Sequence, residues 1–209
     1  MTRVAGSCPQ CGAPVEFRWS AAVQTTCPYC RSILVRREVD LEKVGVVGDL
    51  PRDLSPIQIG TEGRWRDGGF VVVGRIIYDY DRGSWNEWHL AMSDGTSAWL
   101  SDAQLTYAFS RMTEASRVIT KKRRPGEQVV IDGDTFEVRT VTEARYRGVE
   151  GELPFEYWDK STATFIDCVS PGGGFATFDY SESPPLVFLG EFVQYDKMCL
   201  ENVRTFEGW

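Results

Sequence analysis

At 209 residues, with 42% hydrophobic and 25% charged residues, the chain is long enough to bury a core. Its composition is ordinary for a soluble globular protein, and one to three domains are expected. The net charge of −7 is uneven: residues 1–38 hold five arginines against Glu16 and Glu38, so the +3 there leaves −10 on residues 39–209, and that acidic body disfavours nucleic-acid binding outside the basic N-terminus.

The segment Met1 to Ser7 is too short and polar for a signal peptide. The longest apolar runs, such as Phe70-Val71-Val72-Val73, fall far short of a membrane span. A cytoplasmic protein of bacterial style is expected. Two C-x2-C pairs follow, Cys8-Pro9-Gln10-Cys11 and Cys27-Pro28-Tyr29-Cys30, fifteen residues apart. Two knuckles at that spacing bring four thiolates to one tetrahedral Zn²⁺. Gly12 suits a knuckle turn that needs positive φ. A thioredoxin-type redox pair would be single and set in a βαβ pattern, which is absent. Structural zinc is therefore read over a redox pair or an iron site. A four-thiolate shell is closed and keeps no water, so metal catalysis is not expected. Cys168 and Cys199 are isolated and are read as buried apolar residues and not as a disulfide.

Residues 1–37 are expected to form a zinc ribbon, with strands at Val15 to Trp19, Val23 to Thr26 and Ser32 to Val35, and with the metal supplying most of the folding free energy. Residues 38–58, broken by Pro51 and Pro56, read as a linker. Residues 59–118 form a first β unit: a turn at Asp67-Gly68-Gly69, strands Phe70 to Tyr80 and Trp85 to Met92, a tight turn at Asp94-Gly95, and a return from Thr96 to Leu100. Trp85, Trp88 and Trp99 are expected to lie together across that hairpin, with two of the three buried. Residues 119–126, with Lys121-Lys122-Arg123-Arg124 before Pro125-Gly126, read as a solvated basic linker, or as an anion or phosphate contact. Residues 127–209 form a second β unit, with a hairpin turn at Asp132-Gly133 and strands Thr135 to Arg145, Thr162 to Val169, Phe175 to Tyr180 and Leu186 to Gln194. The run Phe70, Val72, Tyr78 parallels Phe136, Val138, Tyr146. Either duplication or convergence between hairpins explains it.

The set Trp85-Asn86-Glu87-Trp88-His89-Leu90, Trp99-Leu100-Ser101-Asp102-Ala103-Gln104, Gly151-Glu152-Leu153-Pro154-Phe155 and Phe178-Asp179-Tyr180 resembles the bacterial domain-of-unknown-function family 4178 over roughly residues 55–205. Its members often carry an N-terminal zinc ribbon. The resemblance implies an accessory protein without established activity, of a kind often encoded near polyamine-synthesis enzymes and small membrane proteins.

No Walker, G-x-S-x-G or dinucleotide motif is present. His89 reads as a surface or groove histidine without a catalytic partner. Arg18, Trp19, Arg31, Arg36 and Arg37 form a candidate interaction surface on the ribbon. Glu143, Glu150 and Glu152, with Asp159 nearby, are candidates for binding a cation. The fold class is all-β: a zinc ribbon, then two small β barrels or sandwiches. The function read from these features is a zinc-binding, non-enzymatic accessory protein that engages a protein partner. The alternatives are nucleic-acid association through the basic ribbon, or an enzyme or binder of a small cation such as a polyamine at the acidic body.

Overall fold

The computed structural model describes residues 4–37, 40–48, 50, 54–66, 68–114, 121–156 and 162–206. Regular structure among them is strand, with a 3-10 turn at Tyr195–Met198. No described helix is long and apolar enough to cross a membrane. Asp67 and Asp159 lie outside the described residues.

The N-terminal module holds β1 (Val4–Ser7) and β2 (Pro14–Phe17), paired antiparallel, and a three-stranded sheet of β3 (Gln24–Thr26), β4 (Ser32–Arg37) and β5 (Asp40–Val46). β5 corrects the linker expected over 38–58. It zips along β4 from Arg37↔Asp40 to Ser32↔Val46. The sequence of β5 hides its strand character because a bulge between Ile33 and Leu34 shifts the phase. Leu41 and Val44, three residues apart, are therefore both half-buried, where strict alternation would separate them.

The body is built from two five-strand meanders. The first is β6 (Glu62–Trp65), β7 (Gly68–Tyr80), β8 (Gly83–Met92), β9 (Ser97–Ala103) and β10 (Thr106–Thr113). The second is β11 (Gln128–Ile131), β12 (Asp134–Gly151), β13 (Ala163–Val169), β14 (Gly174–Asp179) and β15 (Leu186–Val193). They are halves of one sheet. β10 pairs with β15, and β7 pairs with β12, which closes the ring β7-β8-β9-β10-β15-β14-β13-β12. The closure follows from strand length. β6 covers only residues 68–71 of β7, and β11 covers only residues 134–137 of β12. The uncovered half of each long strand then pairs with the other, from Gly74↔Gly151 to Asp79↔Arg145. Both units also place a bulge at the same point of the repeat, after Val72 and after Val138.

The expected turns are in place. Asp132 and Gly133 have φ of 50° and 92°, the two positive values a two-residue hairpin of this twist needs. Gly95 has φ 85° in the loop closed by the Met92 N–H and the Thr96 carbonyl. Ser101-Asp102 continues as strand β9.

Three apolar clusters fill the body. The first unit packs Val72, Trp88, Leu90, Leu100 and Tyr107. The second packs Val138, Ile166, Cys168, Phe178 and Val187. Residues of both units build the third, with Tyr78, Trp99, Val149, Phe165 and Phe188. Trp88 and Trp99 are buried, but the three tryptophans do not form one group. An odd separation along β8 puts Trp85 and Trp88 on opposite faces. Trp88 enters the first unit's core, while Trp85 and Trp99 join the shared one. Cys168 is buried as expected, whereas Cys199 is exposed, in the left-handed turn that ends the 3-10 segment. Trp88 has no exposed surface and carries the Arg75 guanidinium 4.7 Å from its ring centre. Trp88→Ala should destabilise by about 3–5 kcal/mol in a urea melt. A loss below about 1 kcal/mol would contradict its place in the core.

Candidate metal centre and its docking site

The two cysteine knuckles share one hydrogen-bond plan. Cys8 N–H donates to the Ala13 carbonyl and Cys27 N–H to the Ser32 carbonyl, both at 2.9 Å. Gly12 N–H returns to the Cys8 carbonyl at 2.8 Å, as Arg31 N–H does to the Cys27 carbonyl at 3.0 Å. The fifth position of each knuckle has positive φ, 73° at Gly12 and 60° at Arg31. Gly12 takes it without strain, while Arg31 pays for the same turn with a side chain.

The knuckles bring the Sγ atoms of Cys8, Cys11, Cys27 and Cys30 within 4.8 Å of one another. Cys8 Sγ lies 3.6 Å from Cys30 Sγ, and Cys11 Sγ 3.8 Å from Cys27 Sγ. Thiolates about 2.3 Å from a tetrahedral metal stand about 3.8 Å apart, so the four sulfurs fit a single ion. The Ser32 hydroxyl, 3.2 Å from Cys30 Sγ, and the Ser32 backbone lower that thiol to about 6. The centre is half-enclosed: Cys8 and Cys27 are buried and Cys11 is exposed.

The module is docked on the body. Cys8, Cys27, Val15, Phe17, Trp19 and Leu34 share one apolar cluster with Val73 of β7 and Ala91 of β8. Two backbone links reinforce it. The Glu152 carboxylate accepts the N–H groups of Arg18 at 2.7 Å and Trp19 at 2.8 Å. Gln24 and Leu153 then exchange N–H···O bonds of 3.2 and 2.9 Å as an antiparallel bridge. Burial raises the Glu152 carboxyl, and those two donors oppose the rise. Gly74 makes room for this contact, since a Cβ there would fall 1.9 Å from the Glu152 carbonyl oxygen.

Three expected roles change. Trp19 is 8% exposed and belongs to no surface. Its indole donates to the Gly95 carbonyl at 3.0 Å, and its ring meets His89 edge-on at 4.9 Å. Glu152 is 3% exposed and its carboxylate is taken. Glu150 pairs with the buried Arg75 at 3.0 Å, and Glu143 is exposed on β12. Among the arginines of the N-terminal module, Arg31 bonds the Gly48 carbonyl, Arg36 the Ser20 carbonyl, and Arg37 both Glu42 and Glu156. Arg18 is exposed beside Gly60.

Pattern reasoning missed the role of His89. It is fully buried under Trp19 and Trp99. Nδ1–H donates to the Glu152 carbonyl at 2.8 Å, and Nε2 lies 2.8 Å from the Ser97 hydroxyl, so both ring nitrogens have partners. Burial lowers His89 to about 4. It also missed Glu87, pushed up to about 8 by burial, with Asp167 and Asp179 of the other unit adding to the rise. Glu87 accepts from Ser101 Oγ at 2.7 Å and Trp85 Nε1 at 2.9 Å. A lone His and a lone Glu inside a strand carry no pattern. Only the closed sheet gives them neighbours.

The His89 value sets an acid response. The unfolded chain takes up a proton near pH 6.5 that the folded His89 refuses until about pH 4, so the His89 contribution to stability falls as pH drops through that window. The loss should reach about 3 kcal/mol. Chemical denaturation of wild type and His89→Gln between pH 7 and 4 checks this. The variant should lack that share of the acid dependence, and parallel curves would contradict the assignment.

Comparison with known proteins agrees with the fold boundaries. Residues 58–195 match the family described as a domain of unknown function, DUF4178. No curated protein and no solved structure matches the chain. The match spans β6 to β15 and leaves the cysteine module outside it. The chain belongs to the DUF4178 family.

Proposed function

We propose that this is a zinc-binding accessory protein that acts by engaging another protein and not by catalysis. The observation that carries the metal assignment is the set of four Sγ atoms within 4.8 Å, at separations that match a tetrahedral thiolate shell. Four soft thiolates suit Zn²⁺ and fill its coordination, so the ion braces the fold and offers no position for a substrate. Cys8, Cys11, Cys27 and Cys30 hold it, and the docked module carries its knuckles on the outside of the body.

The partner-facing group is Tyr29. It lies between Pro28 and Cys30 on the second knuckle and is 69% exposed. An aromatic ring held out by a metal-pinned turn has already lost much of its backbone freedom, which favours an anchor in a protein interface. Three of the arginines that favoured nucleic acid, Arg31, Arg36 and Arg37, are instead bonded within the chain, at Gly48, Ser20, Glu42 and Glu156, while Arg18 is exposed.

Elemental analysis of protein purified without chelator should give about one zinc per chain. Less than a tenth of that, with intact thiols, would refute the centre. Because Cys8 and Cys27 share a cluster with Val73 and Ala91, Cys8→Ser should lower the melting midpoint of the whole chain by about 5–10 °C. Capture from native lysate with metal-loaded protein should retain a protein partner that Tyr29→Ala loses. Identical captures by the two would place the interface elsewhere.

A further inference from the structure

The run Lys121-Lys122-Arg123-Arg124 takes no part in the metal centre or in the closed sheet. Among the described residues, none of the four forms an ion pair with a carboxylate. Yet they sit on a body that is otherwise strongly acidic. The run is also fixed in place. Lys122 Nζ donates to Thr164 Oγ1 at 3.0 Å and stands 5.6 Å from the centre of the Tyr180 ring. The Tyr180 hydroxyl donates to the Lys121 carbonyl at 3.0 Å, and Tyr180 N–H to the Thr164 carbonyl at 3.0 Å. At the other end, Glu127 N–H closes a turn onto the Arg124 carbonyl at 3.0 Å, and Gly126 N–H bonds the Val138 carbonyl at 2.9 Å.

Two polar side-chain atoms, Arg123 Nε in this run and Ser181 Oγ one residue past Tyr180, are shielded from water and have no hydrogen-bond partner among the described residues. Arg123 is within electrostatic reach of Tyr180. Burial raises that phenol, and the guanidinium opposes the rise. A shielded guanidinium N–H with no acceptor is costly in a finished fold and is expected where the acceptor belongs to a ligand.

We propose that this edge binds the phosphate group of a small phosphorylated molecule, with Arg123 Nε and the Ser181 hydroxyl as inner donors and Lys121 and Arg124 as outer charges. Guanidinium geometry suits a phosphate oxygen, and four cations without a carboxylate partner among the described residues suit a dianion. The acidic body argues for a small ligand over a polyanion, since a nucleic-acid strand leaving the patch would meet negative surface.

The probe is inorganic phosphate, titrated into the full metal-loaded chain against chloride at equal ionic strength, with the melting midpoint as readout. The midpoint should rise and saturate with phosphate and not with chloride. Arg123→Gln should raise the half-saturating concentration at least tenfold, while Arg139→Gln, an exposed arginine on β12, should leave it unchanged. If Arg123→Gln fails to fold, Ser181→Ala takes its place and should weaken the response several-fold. An equal response to chloride would overturn the proposal, as would a wild-type response in whichever of these two variants is read. Binding to phosphatidic acid vesicles without any response to inorganic phosphate would overturn it as well, by assigning the edge to a membrane surface.

Discussion

A single buried carboxylate sets how the two parts of this chain meet. Glu152 sits at the point where β12 leaves the ring, and it receives the N–H groups of Arg18 and Trp19 from the cysteine module. Its carbonyl takes the His89 N–H, and its own N–H is held by the Val73 carbonyl at 2.7 Å. One residue therefore belongs to the ring, to the buried histidine and to the module. Removing a carboxylate from water is unfavourable unless hydrogen bonds replace the lost hydration, and here two backbone donors that would otherwise be orphaned supply them. Trp19, placed by that contact, covers His89 and ties itself to the Gly95 turn.

The ring makes this junction possible. Residues 74–79 of β7 pair with residues 145–151 of β12, so the ends of two long strands from different units lie side by side. Glycines at Gly74 and Gly151 permit the approach, since a Cβ at Gly151 would fall 2.2 Å from the Val73 carbonyl oxygen. The same closure puts Glu87 of the first unit near Asp167 and Asp179 of the second. The four-cysteine cluster lies outside the ring. Its two buried members, Cys8 and Cys27, nevertheless pack in one cluster with Val73 and Ala91, so the candidate metal centre and the body share apolar surface.

Local patterns were legible in the amino-acid sequence. The C-x2-C spacing placed the four sulfurs, the Asp-Gly pairs placed two turns, and alternation placed most strands of the body. Contacts between distant residues were not. Arg18 and Glu152 are separated by 134 positions, and nothing local at either one announces the other. Arginines beside aromatic residues looked like a surface because charge and exposure usually go together. Trp19 is buried because a partner far along the chain covers it. β5 carries no strand pattern in the sequence because its bulge breaks the two-residue period on which strand recognition depends. The likeness between the two units was visible in the sequence. That they share one sheet depends on strand lengths that exceed what their own partners cover.

Hydrogen exchange with and without chelator tests most directly the claim that the metal centre and the ring are one mechanical unit. The amides to follow are those of Cys27 and Arg31 in the second knuckle, of Val23 and Gln24, which donate to Leu153, and of Leu153 itself. The account predicts that removing the metal deprotects all five together, with Leu153 losing protection although it lies 123 positions from Cys30. Loss of protection confined to Cys27 and Arg31, with Leu153 as slow as in the metal-loaded protein, would contradict it.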